Sequence, residues 1–387
     1  MEILSLFILS VLTILFILNF INIFHFRKIS FENENPCFKK ISVLIPARNE
    51  EENIADCVNS VLNQDYGNFE LIVLNDKSSD NTGKILNALV NSDLNLKYQN
   101  RFKIINGTAL PAGWVGKNFA CHQLQQSAGG DYLLFIDADT ILNKDCLSKS
   151  INFAENFDTD LLSLMPYEKT VTFWEKVTIP LLYFAVMVFL PLKMIEKSGS
   201  KKFSMGNGQF MFFKRKFYDK IGGHESLKNK IVEDVWLSRR VKEFKGRLIF
   251  GDGTEISECR MYKNFGEILN GFSKNFFAGL SFSVTGLISV NLLYFILFIL
   301  PLPLMISGIT ESDSVLFISS VISFMIPVLM RISHSLKFRQ PFWFSFLNIL
   351  SAAMIIILSL NSFRKLRFGK GADWKGRKYS ESLLSEN

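Results

Sequence analysis

Long apolar segments at both ends of this 387-residue chain place the strongest limit on its fold. Ile3 to Phe24 is almost wholly apolar and long enough to cross a ~30 Å hydrocarbon layer as one helix. Further apolar runs follow after about Gly286, at 287–309, 315–330 and 342–360. With 48% hydrophobic residues and 38 phenylalanines, the chain is too apolar for an ordinary soluble enzyme. We therefore predict transmembrane helices at both ends.

The charges around the first apolar run predict an uncleaved anchor. A cleavable signal peptide has basic residues before its apolar stretch, whereas here only Glu2 precedes it and Arg27, Lys28, Lys39 and Lys40 follow. The positive-inside rule then places the middle of the chain in the cytoplasm. We expect a multi-pass protein of the cell (inner or plasma) membrane. If every late run spanned, the basic tail would lie outside, so one late segment is expected to be re-entrant or interfacial.

The middle of the chain alternates between strand and helix patterns. Four short apolar strands are predicted, at 41–45, 71–74, 102–105 and 132–136, and a helical pattern lies between each strand and the next. This order is typical of an α/β fold with a parallel sheet and right-handed crossovers. A further strand is predicted at 246–250.

Polar groups follow three of these strands. They are Asn49 and Glu50, then Asp76, then Asp137 and Asp139. In open α/β sheets, ligands bind beyond the carboxyl ends of the strands. Two acids so close together are costly unless a cation joins them, and a divalent metal carrying phosphate oxygens would do so. The alternative for Asp137 and Asp139 is an Asp-rich turn in which Asp139 caps a helix.

Several function classes lack their motifs. The chain has no G-x-G-x-x-G after its first strand, no P-loop and no G-x-S-x-G turn. Its five cysteines and four histidines are scattered without zinc-ligand spacing. The net charge of +7 has no compact basic block in the first two-thirds of the chain. A basic rim facing anionic lipid therefore explains the charge better than a nucleic-acid partner.

The later segments are harder to assign. The run at 177–195 is short, contains Pro180 and Pro191 and has charged flanks, which favours an interfacial or re-entrant segment, with a buried core helix as the alternative. Glu233 and Asp234 open a helix, where acids complement the helix dipole. The predicted organisation is an anchor at 1–28, a cytoplasmic domain at 37–260, an amphipathic interface helix at 261–280, a transmembrane region at 286–362 and a basic tail at 363–387.

Four stretches in order resemble the family 2 inverting glycosyltransferases, which have a Rossmann-like GT-A fold that takes nucleotide-diphospho-sugars. They are Ser42–Glu51, Asn75–Asp80, Phe135–Asp139 and Val232–Val235. The resemblance is closest to membrane-anchored bacterial carotenoid and hopanoid glycosyltransferases, and more distantly to ceramide glucosyltransferase. That narrower likeness depends on Gly113–Lys117, on Cys259–Tyr262 with Ser273–Asn275, and on the tail motif Trp374–Tyr379.

The resemblance implies a role for each matching residue. Asp234 would be the general base, with Glu233 beside it in the catalytic pair, and Asp139 would bind Mn²⁺ or Mg²⁺ through the donor diphosphate. Asp137 would reach the ribose or the metal's water, while Asn75 replaces the first acid of the family's usual pair. The remaining donor-binding positions would be Pro46, Arg48, Asn49, Glu50 and Asp76 around the base and ribose, and Lys117, Gly206, Asn207, Gly208 and Gln209 around the diphosphate and sugar.

The implied reaction is the inverting transfer of one sugar, with UDP-glucose the expected donor, to a membrane-embedded lipid such as a carotenoid, hopanoid, glycerolipid or sphingolipid. The Q-x-x-R-W pentapeptide of processive polysaccharide synthases is absent, which favours a single transfer over chain extension. Two alternatives stay open. One is a polyprenyl-phosphate glycosyltransferase for cell-envelope glycans, and the other is a membrane scaffold with a decayed transferase fold.

Overall fold

A computed structural model of the chain describes residues 1–29, 38–92, 101–368 and 372–379. The predicted domain boundary at residue 37 and the tail residues 369–371 and 380–387 lie outside these ranges. The described strands are β1 (Ile41–Ala47), β2 (Phe69–Asn75), β3 (Phe102–Asn106), β4 (Tyr132–Phe135), β5 (Thr140–Leu142), β6 (Leu161–Met165), β7 (Tyr167–Glu168), β8 (Met211–Lys214), β9 (Leu248–Asp252), β10 (Ser257–Cys259), β11 (Ala372–Trp374) and β12 (Arg377–Tyr379).

The helices divide between an apolar set and the set that surrounds the strands. Those of the described chain are α1 (Glu2–His25), α2 (Ile54–Leu62), α3 (Thr82–Val90), α4 (Gly116–Ser127), α5 (Cys146–Asn156), α6 (Phe173–Thr178), α7 (Leu181–Phe189), α8 (Leu192–Lys197), α9 (Arg215–Lys220), α10 (Glu233–Glu243), α11 (Phe265–Gly279), α12 (Val284–Tyr294), α13 (Pro301–Thr310), α14 (Ser314–Lys337) and α15 (Asn348–Phe368).

The strands form a mixed α/β sheet. Within the described ranges its order is β3-β2-β1-β4-β8-β6-β9. β1 to β4 pair in parallel, as their alternation with helices predicts. β8 runs antiparallel to both β4 and β6, and the sequence pattern did not predict it because its short apolar run has no clear period. All seven residues of β1 and all four of β4 are buried, which explains why both strands are apolar apart from Ser42, whose hydroxyl donates to Glu70.

The strand order places a ligand crevice beside β1. The chain passes from β1 to β2 and β3 on one side, then returns to β4 on the other side. Such a reversal leaves a crevice between the loops at the carboxyl ends of the two strands that flank it. The loop after β1 and the acids after β4 therefore line one crevice, and the end of β2 lies next to it.

The described chain separates into two compact units. The sheet unit comprises Phe26–Lys169, Lys193–Met261 and the described residues from Asp373 onward, and the apolar unit comprises Met1–His25, Thr170–Leu192 and Tyr262–Ala372. The core of the sheet unit lies between the buried faces of the strands and helices α2 and α5.

Three described segments of the apolar unit are helical, long and apolar enough to cross a membrane: Glu2–His25, Ser314–Lys337 and Phe342–Phe368. A bent pair, Phe265–Gly279 with Val284–Ile299, meets at 117° and would count as a fourth if it were one broken span. The predicted span at 287–309 is interrupted where Pro301, which lacks an N–H, begins helix α13.

Two predicted interfacial segments are partly covered within the apolar unit. Tyr183, Phe184 and Met187 of α7 are buried, and Asn22 of α1 donates from Nδ2 to the Met187 carbonyl at 2.8 Å. The interfacial or re-entrant assignment of the run at 177–195 stays a prediction beside its core-helix alternative. Ile268 of α11 packs in a cluster with residues of α15, so part of the apolar face of the amphipathic helix is already occupied.

Candidate functional site

Lys117 joins two of the predicted acid sites. Its ammonium Nζ lies 2.7 Å from Asp137 Oδ1 after β4 and 2.7 Å from Glu233 Oε1 at the start of α10. Lys117 itself stands near the start of α4, and its side chain is 20% exposed. Three segments far apart in sequence thus meet at one cation. Because the site is shielded from water, each ion pair is stronger than it would be on the surface.

The loop before α10 aims both of its acids into the crevice. Val232 precedes the helix with φ 61° and ψ 49°, a left-handed conformation that is rare for a β-branched residue. Asp234 is then held by two backbone donors, since its Oδ2 accepts from Gly208 N at 2.9 Å and its Oδ1 from Val235 N at 2.8 Å. Strain of this kind is stored where the surrounding structure needs a particular orientation.

The predicted donor-binding loop, Gly206–Gln209, lies directly against the start of α10. A Cβ at Gly206 would stand 2.5 Å from the Ser238 hydroxyl and 2.7 Å from the Asp234 carbonyl, so only glycine fits there. A Cβ at Gly208 would lie 3.1 Å from Lys117 Nζ. The loop is also braced internally, because Asn207 Nδ2 donates to Gln209 Oε1 at 2.9 Å. Gly208 therefore brings its backbone close to the charged cluster.

The pKa values of Glu233 and Asp234, neighbours at the start of α10, shift in opposite directions. Burial alone would raise the pKa of Glu233, but the Lys117 ammonium holds it below its usual range. Burial and the Glu233 charge together raise the pKa of Asp234. Burial would lower the pKa of Lys117, but Asp137 and Glu233 raise it instead. Glu233 is thus the fixed counter-ion of Lys117, and Asp234 is the carboxyl prepared to accept a proton.

Asp139 is the acid with the least compensation. Its Oδ1 is buried and has no hydrogen-bond partner in the described part of the chain. Burial raises the pKa of Asp139, the charges of Asp137 and Glu50 raise it further, and Lys375 and the Cys259 thiol oppose this. A buried carboxylate oxygen without a donor is costly and indicates a missing cation.

Sequence reasoning missed a further acid beside Asp139. Glu168, in the two-residue strand β7, is 1% exposed, and burial raises its pKa to about 8 despite a hydrogen bond from Gln209. The charge of Asp139 also contributes to this rise. No motif or period singles out Glu168 in the sequence. Its burial is created only when β7 pairs with β10.

Hydrogen bonds join the loops after β1 and β2. Glu50 N donates to Thr82 Oγ1 at 2.8 Å, and Asn49 N donates to Ser78 Oγ at 3.1 Å. Asn49 Oδ1 in turn accepts from Ser79 N at 2.8 Å. Asn49 stands at φ 53°, a left-handed conformation in which asparagine is several-fold enriched. These bonds fix Asn49 and Glu50 at the edge of the crevice.

Three predicted donor-binding residues have other immediate partners. Pro46 is buried inside β1. Arg48 donates from Nη1 to the Asp76 carbonyl at 2.6 Å and the Lys77 carbonyl at 3.0 Å, so it fastens the end of β2. The Asp76 carboxylate is 2% exposed and forms a two-bond ion pair with Arg377 from the C-terminal hairpin, a partner that sequence reasoning did not identify.

The described residues contain no group of three or more His, Cys, Asp or Glu side chains placed to hold a metal unaided. Asp137 and Asp139 nevertheless fit an ion that takes its remaining oxygen ligands from a substrate. Mg²⁺ is often bound in this way, through one or two carboxylates together with phosphate oxygens. The cluster therefore suits a phosphate-bearing substrate beside a carboxyl of raised pKa.

Comparisons with known proteins bear out the expected resemblance for a domain within the chain. Residues 42–222 match the family model "Glycosyl transferase family 2". Over 356 residues the chain is 25% identical to a 4,4'-diaponeurosporenoate glycosyltransferase of Staphylococcus haemolyticus, covering 90% of this chain and 91% of that one. A Staphylococcus aureus protein of the same name is 25% identical over 244 residues, and the match spans 62% of each chain.

Among solved structures, a mannosyltransferase from Pyrobaculum calidifontis, in complex with GDP-Man and Mn²⁺, aligns with a TM-score of 0.49 and 13% identity. The alignment covers 92% of this chain and 98% of that one.

Replacing Lys117 with Met tests whether the bridge holds the cluster together. The substitution leaves Asp137 and Glu233 without their shared cation, and removing one partner of a buried ion pair costs about 3–5 kcal/mol. We expect the thermal unfolding midpoint in detergent to fall clearly. Lys28→Met is the control, because it removes a pair with Glu255 in which both side chains are about half exposed, and exposed pairs contribute only about 0–1 kcal/mol. Equal midpoints for the two variants would contradict the bridging role.

Proposed function

We propose that this chain, a glycosyltransferase whose residues 42–222 form a family 2 domain, transfers one sugar from a nucleotide-diphospho-sugar to a carotenoid-type lipid. The observation that carries the proposal is the pair of acid sites on separate elements. Asp139 follows β4 and has a buried oxygen without a hydrogen-bond partner in the described ranges, while Asp234 opens α10 and has a raised pKa. An inverting transfer needs one site for the leaving diphosphate and another for the attacking acceptor.

The donor would lie across the carboxyl ends of β1, β2 and β4. Asp76 would accept a hydrogen bond from the base, and Asn49 and Glu50 would line the pocket around the ribose. The Gly206–Gln209 loop would lie along the sugar, where glycine lets the backbone come close. UDP-glucose is the proposed donor. This assignment follows the resemblance alone, and the hydrogen-bonded loops after β1 and β2 support a fixed edge for the nucleotide pocket.

A divalent ion, Mn²⁺ or Mg²⁺, would be held by Asp139 and Asp137 together with the donor phosphates. The buried, unpartnered Oδ1 of Asp139 supports this proposal. When bound, such an ion supplies charge stabilisation for the departing diphosphate. Lys117 would keep Asp137 in position from the other side. Asp139 would be the main protein ligand of the ion, because Asp137 Oδ1 already pairs with the Lys117 ammonium.

Asp234 would remove the proton of the attacking hydroxyl. The two backbone bonds from Gly208 and Val235 orient its carboxylate, and the raised pKa brings it closer to the working pH, where a general base is most effective. Glu233 would act indirectly, because its charge raises the pKa of Asp234 while Lys117 holds Glu233 itself ionised. Glu233 is thus a positioning residue in this proposal.

The acceptor is proposed from the relatives and the apolar unit. The Staphylococcus relatives are named for 4,4'-diaponeurosporenoate, the anion of an acid, at 25% identity. The helices that are long enough to span a membrane would give an apolar acceptor access from the bilayer. We propose a multi-pass protein of the cell membrane with its sheet unit in the cytoplasm, where nucleotide-sugars are made.

The second candidate function is transfer to a polyprenyl phosphate. It would use the same donor site, but the attacking oxygen of a phosphate already carries negative charge. The same holds for an acceptor that presents a carboxylate. Neither nucleophile has a proton to remove at neutral pH, so neither needs a general base. A hydroxyl acceptor does need one, and the role of Asp234 therefore depends on the acceptor's chemistry.

Replacing Asp139 with Ala tests the metal site. We expect UDP to bind the unaltered chain more tightly with Mn²⁺ than without it, and the Asp139 variant to lose most of that difference, because it removes a direct ligand of the ion. Calorimetric titration of UDP with and without Mn²⁺ measures both. Asp145→Ala removes an acid outside the crevice and serves as the control. Metal-dependent UDP binding that persists in the Asp139 variant would rule out the assigned ligand.

Replacing Asp234 with Asn separates the acceptor classes. On a hydroxyl-bearing apolar acceptor we expect kcat to fall by about 10²- to 10⁴-fold, with the Kd for UDP unchanged, because the base acts only in the chemical step. On an acceptor with a carboxylate or phosphate, the variant should keep most of its activity. Asp219→Asn, at a partly exposed position, is the control. Full turnover of the hydroxyl acceptor by the Asp234 variant would defeat the base assignment.

A further inference from the structure

We propose that the C-terminal hairpin, strands β11 and β12, completes the donor site: Arg377 positions Asp76 for the nucleotide base, and Lys375 binds the donor diphosphate. The proposal rests on the proposed function, since it names further residues of the same donor site. The motif Trp374–Tyr379, within the basic tail at 363–387, carried part of the narrower likeness, but no role was predicted for its residues. The hairpin instead places two of its cations on acids at the strand ends.

Arg377 controls the orientation of Asp76. Its Nη1 lies 2.5 Å from Asp76 Oδ2 and its Nη2 lies 2.8 Å from Oδ1, so the two planar groups meet fork to fork. Asp76 is 2% exposed and the Arg377 side chain 15%. A carboxylate offers about four acceptor positions, and Arg377 uses two of them. In the proposal, the other two positions accept the N–H of a base, at an angle that Arg377 sets.

The hairpin turn is shaped to bring both cations to the same side. Lys375 has φ 49° and Gly376 has φ 83°, which are the left-handed values of a tight two-residue hairpin turn. Arg48 donates from Nε to the Lys375 carbonyl at 3.0 Å, while its Nη1 holds the Asp76 carbonyl at 2.6 Å. Arg48 therefore ties the turn to the end of β2. These two contacts explain the position of Arg48 in the crevice better than a direct contact with the donor would.

The ammonium group of Lys375 is the hairpin cation that can move from its present partner to a diphosphate. Its Nζ lies 2.9 Å from Glu50 Oε1 and donates to the Asn49 carbonyl at 3.1 Å, and its side chain is 37% exposed. Its charge also lowers the pKa of Asp139, against the effect of burial. A compact ammonium on a flexible stem can change partners readily. A diphosphate that entered beside Asp139 would bring stronger acceptors within its reach than Glu50 provides.

A competing interpretation of the hairpin predicts the opposite change in nucleotide affinity. If Arg377 only occupied Asp76 in place of the base, the hairpin would be a plug, and removing its cations would tighten nucleotide binding. The fork-to-fork geometry favours support over blockage, because it leaves acceptor positions free on Asp76. Lys375 adds to this, since a plug needs no cation beside the acids that would face the diphosphate.

The test is the affinity of the full chain for uridine, UMP and UDP, measured by calorimetry in detergent with Mg²⁺ present. Lys375→Met should raise the Kd of UDP by about tenfold or more and change that of uridine by less than about twofold. Arg377→Lys should raise the Kd of all three ligands by the same factor, because it acts on the base. Arg364→Ala, which removes an exposed cation that contacts only Asn361 in the described contacts, should change none of them.

The outcomes separate the hairpin from the donor assignment. Tighter binding by either hairpin variant would establish the plug, and unchanged binding by both would remove the hairpin from the site. An unaltered chain that binds none of the three ligands would overturn the proposed function, and this proposal with it. Lys375 is partly exposed, so Lys375→Met should fold normally. The comparison of UDP with uridine in that variant therefore still tests the diphosphate contact, even if Arg377→Lys lowers the stability of the chain.

Discussion

The ammonium of Lys117 connects the two halves of the site. It lies 2.7 Å from Asp137 after β4 and 2.7 Å from Glu233 at the start of α10. Without a cation between them, these acids would repel each other across the crevice. With it, the sheet that would bind the donor and the helix that would present the base are held at a fixed separation. Lys117 holds the pKa of Glu233 low, whereas burial and the charge of Glu233 raise the pKa of Asp234 against the effect of Lys117.

A balance of charges extends this arrangement to the far side of the crevice. Asp76 and Glu50 have cationic partners from the C-terminal hairpin, and Asp137 has Lys117. Asp139 alone among these strand-end acids keeps a buried oxygen without a hydrogen-bond partner in the described ranges. A divalent metal ion and the donor diphosphate would together carry a net charge close to zero. It could therefore enter without disturbing the pairs already formed.

Much of this site was predictable because parallel strands deliver their carboxyl ends to one edge. The positions after β1, β2 and β4 were identified from apolar runs that stop at polar groups, and the structure gathers Glu50, Asp76 and Asp139 beside one crevice. Glu168 gave no signal, because a two-residue strand has no period and its burial depends on pairing with β10. Strand β8 escaped notice for a similar reason.

The hairpin cations were missed for a different reason. Arg377 is 301 residues from Asp76, and a basic tail beyond an apolar helix reads first as a charge at the membrane surface. Only the tight turn at Lys375 and Gly376 brings these cations to the strand ends. The run at 177–195 shows the same limit, because an apolar segment has the same composition in a helical core as at a bilayer surface.

The central claim is a single in-line displacement at the sugar, with one acid beside the leaving diphosphate and another beside the acceptor. The anomeric configuration of the product tests this most directly. The full chain would be supplied with UDP-glucose, whose glucose is α-linked, and an apolar hydroxyl-bearing acceptor, and the glycolipid analysed by NMR. One displacement predicts a β-linked sugar. An α-linked product would contradict the account, because it requires either two displacements or attack from the side of the leaving group.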